Sequence, residues 1–251
     1  MWSSELVLIV IVTFIVAGLV KGVIGMGLPT VALAVLTAFQ GLGEAMVLML
    51  VPSLVSNVWQ AVDGGALRDV LKRFWVFLLG GAIFTWLAAG LIEKTDAAVL
   101  SGLLGISVVA YASYGLLVSK LPNLGSRENW MSGLMGSMSG VLTGLTGSFT
   151  MPAVPYFQSL GMPRDFLIQA MGVWFTIATL VLGLALQRHN LLPPELGILS
   201  AVGVIPAAIG MLLGQKIRKR LSEHIFRKVM FWALMVLGVY ITWGAGSSYL
   251  V

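Results

Sequence analysis

Apolar positions along this chain come in long runs rather than in stripes. Uncharged segments cover residues 6–20, 22–43, 45–62, 74–92, 97–119, 129–163, 166–187, 196–215 and 229–251, which is 197 of 251 residues. A surface helix of a soluble protein carries charge on the face opposite its apolar stripe, and these segments offer no such face. A stretch of about 18 or more apolar residues is long enough to cross a bilayer core as a helix. The pattern therefore predicts an all-α polytopic membrane protein with eight hydrophobic segments.

Two stretches, 6–38 and 129–162, are too long for one ordinary span, and both are interrupted alike. The first holds Gly18, Gly22, Gly25, Gly27 and Pro29; the second holds Gly140, Gly144, Gly147 and Pro152. An acidic residue follows each, Glu44 and Asp165, and Thr95-Asp96 and Ser222-Glu223 later open comparable apolar runs. Order and spacing persist, which predicts two homologous repeats. They span residues 1–119 and 130–251, joined by a linker at 120–129 that contains Pro122, Asn123, Gly125 and Ser126. Glycine costs a helix roughly 1 kcal/mol relative to alanine, and proline about 3. Several of them within a dozen residues predict a broken helix in each repeat. The plainer reading of Gly18/Gly22 and Gly140/Gly144 is helix packing, because small residues at this spacing let membrane helices approach closely.

Composition narrows the function classes. The chain is 58% hydrophobic and 10% charged, against about 25% charged in soluble domains. This excludes a soluble enzyme, a nucleic-acid binder and a disordered protein. The net charge of +5 sits in loops between spans. There is no cysteine, so disulfides, thiolate metal sites and cysteine catalysis are excluded. His189 and His224 lie in charged, loop-like segments, so no metal or other cofactor is expected. The N-terminal stretch has no basic region ahead of it and carries Glu5, unlike a secretory signal.

Charge placement selects a topology. If both broken segments cross the membrane fully, lysines and arginines divide six to eight between the two sides, which is no bias. If both fold back as re-entrant hairpins, the loops at 63–73, 119–130, 161–165 and 215–228 share a side with twelve, leaving Lys94 and Arg188 on the other. Basic residues gather on the cytoplasmic side of membrane proteins, so the re-entrant arrangement is expected. Each repeat is then a hairpin plus three spans, the repeats are inverted, and both termini lie outside. Paired broken helices in inverted repeats point to a transporter's substrate site.

All ten acidic residues fall at expected span ends or loops. A carboxylate proton relay of the kind pumps use, a carboxylate cation cage and an intramembrane protease dyad are all missing. Lys21 is the one charge well inside a span, and a charge there costs about 3 kcal/mol or more and marks function by default. Fifteen residues separate it from Glu5, about 22 Å of helix, which makes snorkelling in that direction awkward. A half-helix starting after a glycine turn also presents unpaired N–H groups and the positive end of its dipole. The candidate anion site is therefore Lys21 with Gly22, Gly25 and Gly27 in the first half, and Thr143, Gly144, Thr146, Gly147, Ser148 and Thr150 in the second. The plainer role of those hydroxyls is back-bonding to their own helix. Asn57, on a face shared with Ser53, Ser56 and Gln60, and Trp174, in the corresponding region of the second half, complete the set. Trp75, Trp130 and Trp243 suit interfacial anchoring, Pro52, Pro155 and Pro206 mark expected kinks, and Lys216–Arg220 reads as a topology determinant.

At these residues the chain resembles the TauE/SafE family, also called the toluene-sulfonate uptake permeases. The family motif is Gly-x-x-x-Gly-x-x-Gly-x-Gly-Gly followed by proline. Gly18, Gly22, Gly25, Gly27 and Pro29 match its first copy, and Gly140, Gly144, Gly147 and Pro152 its second. Neither copy has the full glycine triplet, since Gly25-Met-Gly-Leu and Gly147-Ser-Phe-Thr stand there. The resemblance implies a transporter of sulfite, sulfoacetate or another organosulfonate. The expectation is a secondary transporter in the inner membrane, with membrane lipids around it, that rocks one repeat against the other. The alternatives are a passive anion channel and a transporter of another small organic anion. A homo-oligomer stays open, and a catalytic role is not expected.

Overall fold

The computed structural model describes residues 2–118, 128–218 and 222–247. Residues 120–127 of the expected linker lie outside them, as do Lys219 and Arg220 of the basic run. The described chain is helical throughout, with no strand among the described residues. The helices are α1 (Ser4–Ile24), α2 (Leu28–Gln40), α3 (Leu42–Val62), α4 (Leu67–Ala89), α5 (Ala97–Leu117), α6 (Glu128–Thr146), α7 (Ala153–Ser159), α8 (Arg164–Arg188), α9 (Pro194–Val202), α10 (Val204–Arg218) and α11 (Glu223–Ser247).

Local chemistry sets these boundaries. Ser3 caps α1 by accepting the Leu6 N–H, and Asp96 caps α5 by accepting that of Ala98; each satisfies a donor the helix leaves open. Pro194 and Pro29 sit at helix starts, where a missing N–H costs nothing.

Seven helices are long and apolar enough to cross a membrane: α1, α3, α4 with the short turn after it, α5, α8, α9 continued by α10, and α11. This is a multi-pass membrane protein. The expected segment at 129–162 gives α6 and α7 instead. α6 carries three serines, two threonines and four glycines, which lowers its apolarity. Trp75, Trp130 and Trp243 are exposed, as interfacial anchors would be.

Helices pair across the chain rather than along it. α1 packs on α10, α6 on α4, α5 on α11, and α3 on α8. Glycine makes the first two seams. Gly18 and Gly22 of α1 rest on the Ala207 and Met211 carbonyls of α10, while Gly210 and Gly214 rest on those of Ile15 and Leu19. Gly136, Gly140 and Gly144 of α6 rest on the carbonyls of Phe77, Gly81 and Thr85 in α4. A Cβ at any of these seven positions would collide with backbone, which is how small residues draw membrane helices together.

The crossing of α3 and α8 lies at the centre. Gly172 fits against Gln60 and Ala61. Gln60 donates from Nε2 to the Ile168 carbonyl (2.7 Å), and Gln169 donates to the Ala61 carbonyl (2.8 Å) while accepting the Ala66 N–H (3.0 Å). These two glutamines lock the end of α3 to the start of α8. At the opposite end His189 Nδ1 lies 4.0 Å from Glu93. An aromatic group of Phe74, Phe77, Tyr156, Phe157 and Trp174 fills the space between α4, α7 and α8.

Pro52 lies inside α3 and cannot donate to the Leu48 carbonyl one turn back. Ser200 of α9 donates to that carbonyl instead (2.7 Å) and accepts the Val51 N–H (3.1 Å). Pro206 stands near the start of α10 and Pro155 in the first turn of α7.

Candidate functional site

The first helix break is three residues long. α1 ends where Gly25 takes φ 90° and ψ 0°, and Gly27 follows at φ 104° before α2 begins. Both conformations are left-handed and suit glycine. The Gly25 N–H closes α1 onto the Lys21 carbonyl (2.7 Å). α2 opens at Gly27 with no side-chain cap, so its first N–H groups keep their positive end uncovered by any cap.

Lys21, one turn before the break, is 5% exposed. It faces α3. Its ammonium donates to Asn57 Oδ1 at 2.5 Å and to Ser56 Oγ at 3.1 Å. An ammonium has no acceptor to offer, so Asn57 must turn its oxygen toward it and its amide NH2 away. That Nδ2 is buried without a partner among the described residues, as is Ser53 Oγ one turn earlier. Asn57 and Ser53 are both 0% exposed. A buried donor left unmade costs roughly 1–3 kcal/mol, and two of them beside a buried cation form a set of unmet donors. No carboxylate pairs with Lys21 among the described residues. Positive charge plus open donors suits an anion with several acceptor oxygens.

The second break runs from Gly147, at φ 70°, to Pro152, whose peptide bond to Met151 is cis. Its hydroxyls are engaged locally. Thr143 donates to the Ser139 carbonyl at 2.7 Å and approaches that of Ser148 at 3.1 Å. Thr146 donates to the Leu142 carbonyl (2.6 Å), and Ser148 and Thr150 face each other at 3.5 Å. Trp174 reaches this loop from α8, donating from Nε1 to the Phe149 carbonyl (2.9 Å). Its ring fills the space beside Gly81.

The expected residues thus form two groups. Lys21, Asn57 and the Gly25–Gly27 turn lie together. Thr143, Thr146, Gly147, Ser148, Thr150 and Trp174 form the other. Gly147 abuts Met46 and Met49 on α3, and Asn57 is eight residues past Met49, about 12 Å along the helix. Gly22 and Gly144 point into the α1–α10 and α4–α6 seams. On α8, Thr176 and Thr179 bond back to the carbonyls of Gly172 and Phe175.

An apolar crevice of about 470 Å3 runs between α3 and α10 to Ser56, lined also by Pro52, Trp59, Met211 and Gln215. Sequence reasoning missed Ser200, because a lone serine inside an apolar run looks like one that bonds back to its own helix. It also missed Gln169, whose role depends on a turn 103 residues away.

No curated protein and no solved structure matches the chain. A family model does, over residues 10–241, and its description is sulfite exporter TauE/SafE. With the match covering nearly the whole chain, from within α1 to within α11, the protein belongs to the sulfite exporter TauE/SafE family.

Proposed function

We propose that the protein is a secondary transporter, not an enzyme, that moves sulfite or an organosulfonate across the inner membrane with the anion held beside Lys21. One observation carries this reading: Lys21 is buried against Asn57 and Ser56 with no acidic partner among the described residues, and the Asn57 amide and Ser53 hydroxyl beside it are unmet. The uncapped start of α2 adds positive potential at the same break. The second break is the counterpart of the first in an inverted repeat.

Helix pairing supports the inversion. α1 stands to α10 as α6 stands to α4, and α3–α8 and α5–α11 pair like with like, as a two-fold relation between residues 1–119 and 130–251 requires. The end of α3 and the turn after it meet the start of α8 at one end, and the turns at 90–96 and 189–193 meet at the other. The first end is the basic, cytoplasmic one, and both termini lie outside. Access alternates as the α1–α10 and α4–α6 pairs move against the α3–α8 core.

The test is uptake by the purified chain in proteoliposomes loaded with sulfite, sulfoacetate, sulfate or a carboxylate. Saturable exchange selective for the sulfonate and sulfite oxyanions is expected, and Lys21→Ala should abolish it while the protein still folds. Unchanged exchange in Lys21→Ala would remove Lys21 from the site. Ohmic single-channel currents would make the protein a channel.

A further inference from the structure

Gln60 stands one turn past Asn57 on α3 and carries the opposite kind of unmet group. Its amide is oriented by the Ile168 carbonyl, which accepts from Nε2 at 2.7 Å. Only the NH2 end of an amide can meet a carbonyl, so Oε1 is the end left over. That oxygen is buried without a partner among the described residues, on a side chain only 7% exposed. The polar groups of α8 nearby are engaged elsewhere. Gln169 bonds to Ala61 and Ala66, and Thr176 bonds back to the Gly172 carbonyl.

Asn57 is the converse case. Lys21 holds its Oδ1, so Nδ2 is the end left over, and it too is buried and unmet. Residues three apart on a helix have Cβ atoms about 5–6 Å apart, yet the spare donor of Asn57 and the spare acceptor of Gln60 do not bond to each other. Lys21 spends two of its three N–H bonds on Asn57 and Ser56. One ammonium N–H, one amide donor and one amide acceptor are thus left over along a single turn of α3.

A fully ionised oxyanion offers acceptors only. It would suit Lys21 and Asn57 but set its own lone pairs against the Gln60 oxygen. An oxyanion that keeps one proton offers both kinds of group: its O–H can be given to Gln60 Oε1 while its other oxygens accept from Asn57 Nδ2 and the ammonium. Charge agrees with this. Lys21 supplies one positive charge, and no carboxylate pairs with it among the described residues. A monoanion is neutralised there, whereas a dianion leaves a buried charge uncompensated.

We propose that Lys21, Asn57 and Gln60 together select a singly protonated oxyanion, hydrogen sulfite rather than the sulfite dianion or a sulfonate, and that Gln60 is the residue that recognises its proton. This deepens the reading of Lys21 as the anion site and rests on it. A proton that crosses with each anion then rides on the substrate, and the protein needs no acidic relay to carry it.

The experiment titrates three monoanions into the purified full chain at one mildly acidic pH. Hydrogen sulfite and hydrogen selenite carry an O–H; methanesulfonate has a methyl group and no O–H. The first two should bind about tenfold or more tightly than the third, the worth of a hydrogen bond made by a charged ligand. Gln60→Met keeps the length of the side chain and removes the acceptor. It should bring the three affinities to within about twofold of one another by weakening the two O–H anions alone. Parallel weakening of all three would reduce Gln60 to its bond with Ile168 and overturn the proposal. Methanesulfonate binding to wild type as tightly as hydrogen sulfite would overturn it without any variant. In either case the anion site itself stands if Lys21→Ala abolishes binding. If wild type binds none of the three, both the proton recognition and the Lys21 site fall.

Discussion

The Ser200 hydroxyl donates to the Leu48 carbonyl across 152 positions of sequence, at 2.7 Å. Pro52 is the reason that carbonyl is open, so one residue makes the vacancy and a residue of the other half fills it. Ser200→Ala should lower stability by about 1–3 kcal/mol, the cost of a buried group left unmade. In a Pro52→Ala background, where α3 can supply its own donor, most of that cost should vanish. A double-mutant cycle read by thermal melting in detergent measures this, and a cost unchanged by Pro52→Ala would show that Ser200 acts elsewhere.

Asn57→Asp separates charge from shape beside Lys21. The substitution keeps size and the oxygen that receives the ammonium, and it pairs the lysine with a carboxylate. Stability should hold or rise, while anion affinity falls by about tenfold or more, since a neutralised lysine no longer attracts and the carboxylate repels. Titration of sulfite into the purified variant checks it. Retained affinity would place the anion away from this pair.

Glycines in the seams and glycines in open space should behave oppositely. Gly18→Ala, Gly22→Ala, Gly140→Ala and Gly144→Ala each drive a methyl into a backbone carbonyl and should cost about 1–3 kcal/mol, as overpacking does. Gly43→Ala and Gly244→Ala meet nothing within 4 Å and should be neutral or stabilising by up to about 1 kcal/mol. Melting temperatures of the six variants make the comparison. Similar values across the two groups would contradict close packing.

The native chain is free of cysteine, so single reporters can be introduced directly. Lys94→Cys and His189→Cys should react with an impermeant maleimide from the same face, and Lys72→Cys only from the opposite one. Labelling of residues 94 and 189 from opposite faces would exclude the re-entrant arrangement.

The sequence made some of this architecture legible and hid the rest for physical reasons. Gly25 and Gly27 announced a break because left-handed backbone is costly for other residues, and they adopt it. Lys21 announced itself as a lone charge in an apolar run. Gly-x-x-x-Gly spacing signals close packing but does not name the partner, so the α1–α10 and α4–α6 seams appear only in three dimensions. The hydroxyls of Thr143 and Thr146 suited either ligand contact or back-bonding, and the folded chain has them back-bonded.

The glycine seams carry a consequence for assembly. Gly18 and Gly22 lie in the first half of the chain and the carbonyls they rest on in the second; Gly140 and Gly144 reverse the relation. A fragment of residues 2–118 made alone would present α1 and α4 as two glycine-fitted surfaces with nothing against them. Insertion into the bilayer would not fill them, because lipid chains cannot follow so close a backbone. Neither half is then a foldable unit. The earlier helices must wait in the membrane until synthesis delivers α6 and α10, and the resulting protein is an interlocked pair rather than two modules in series.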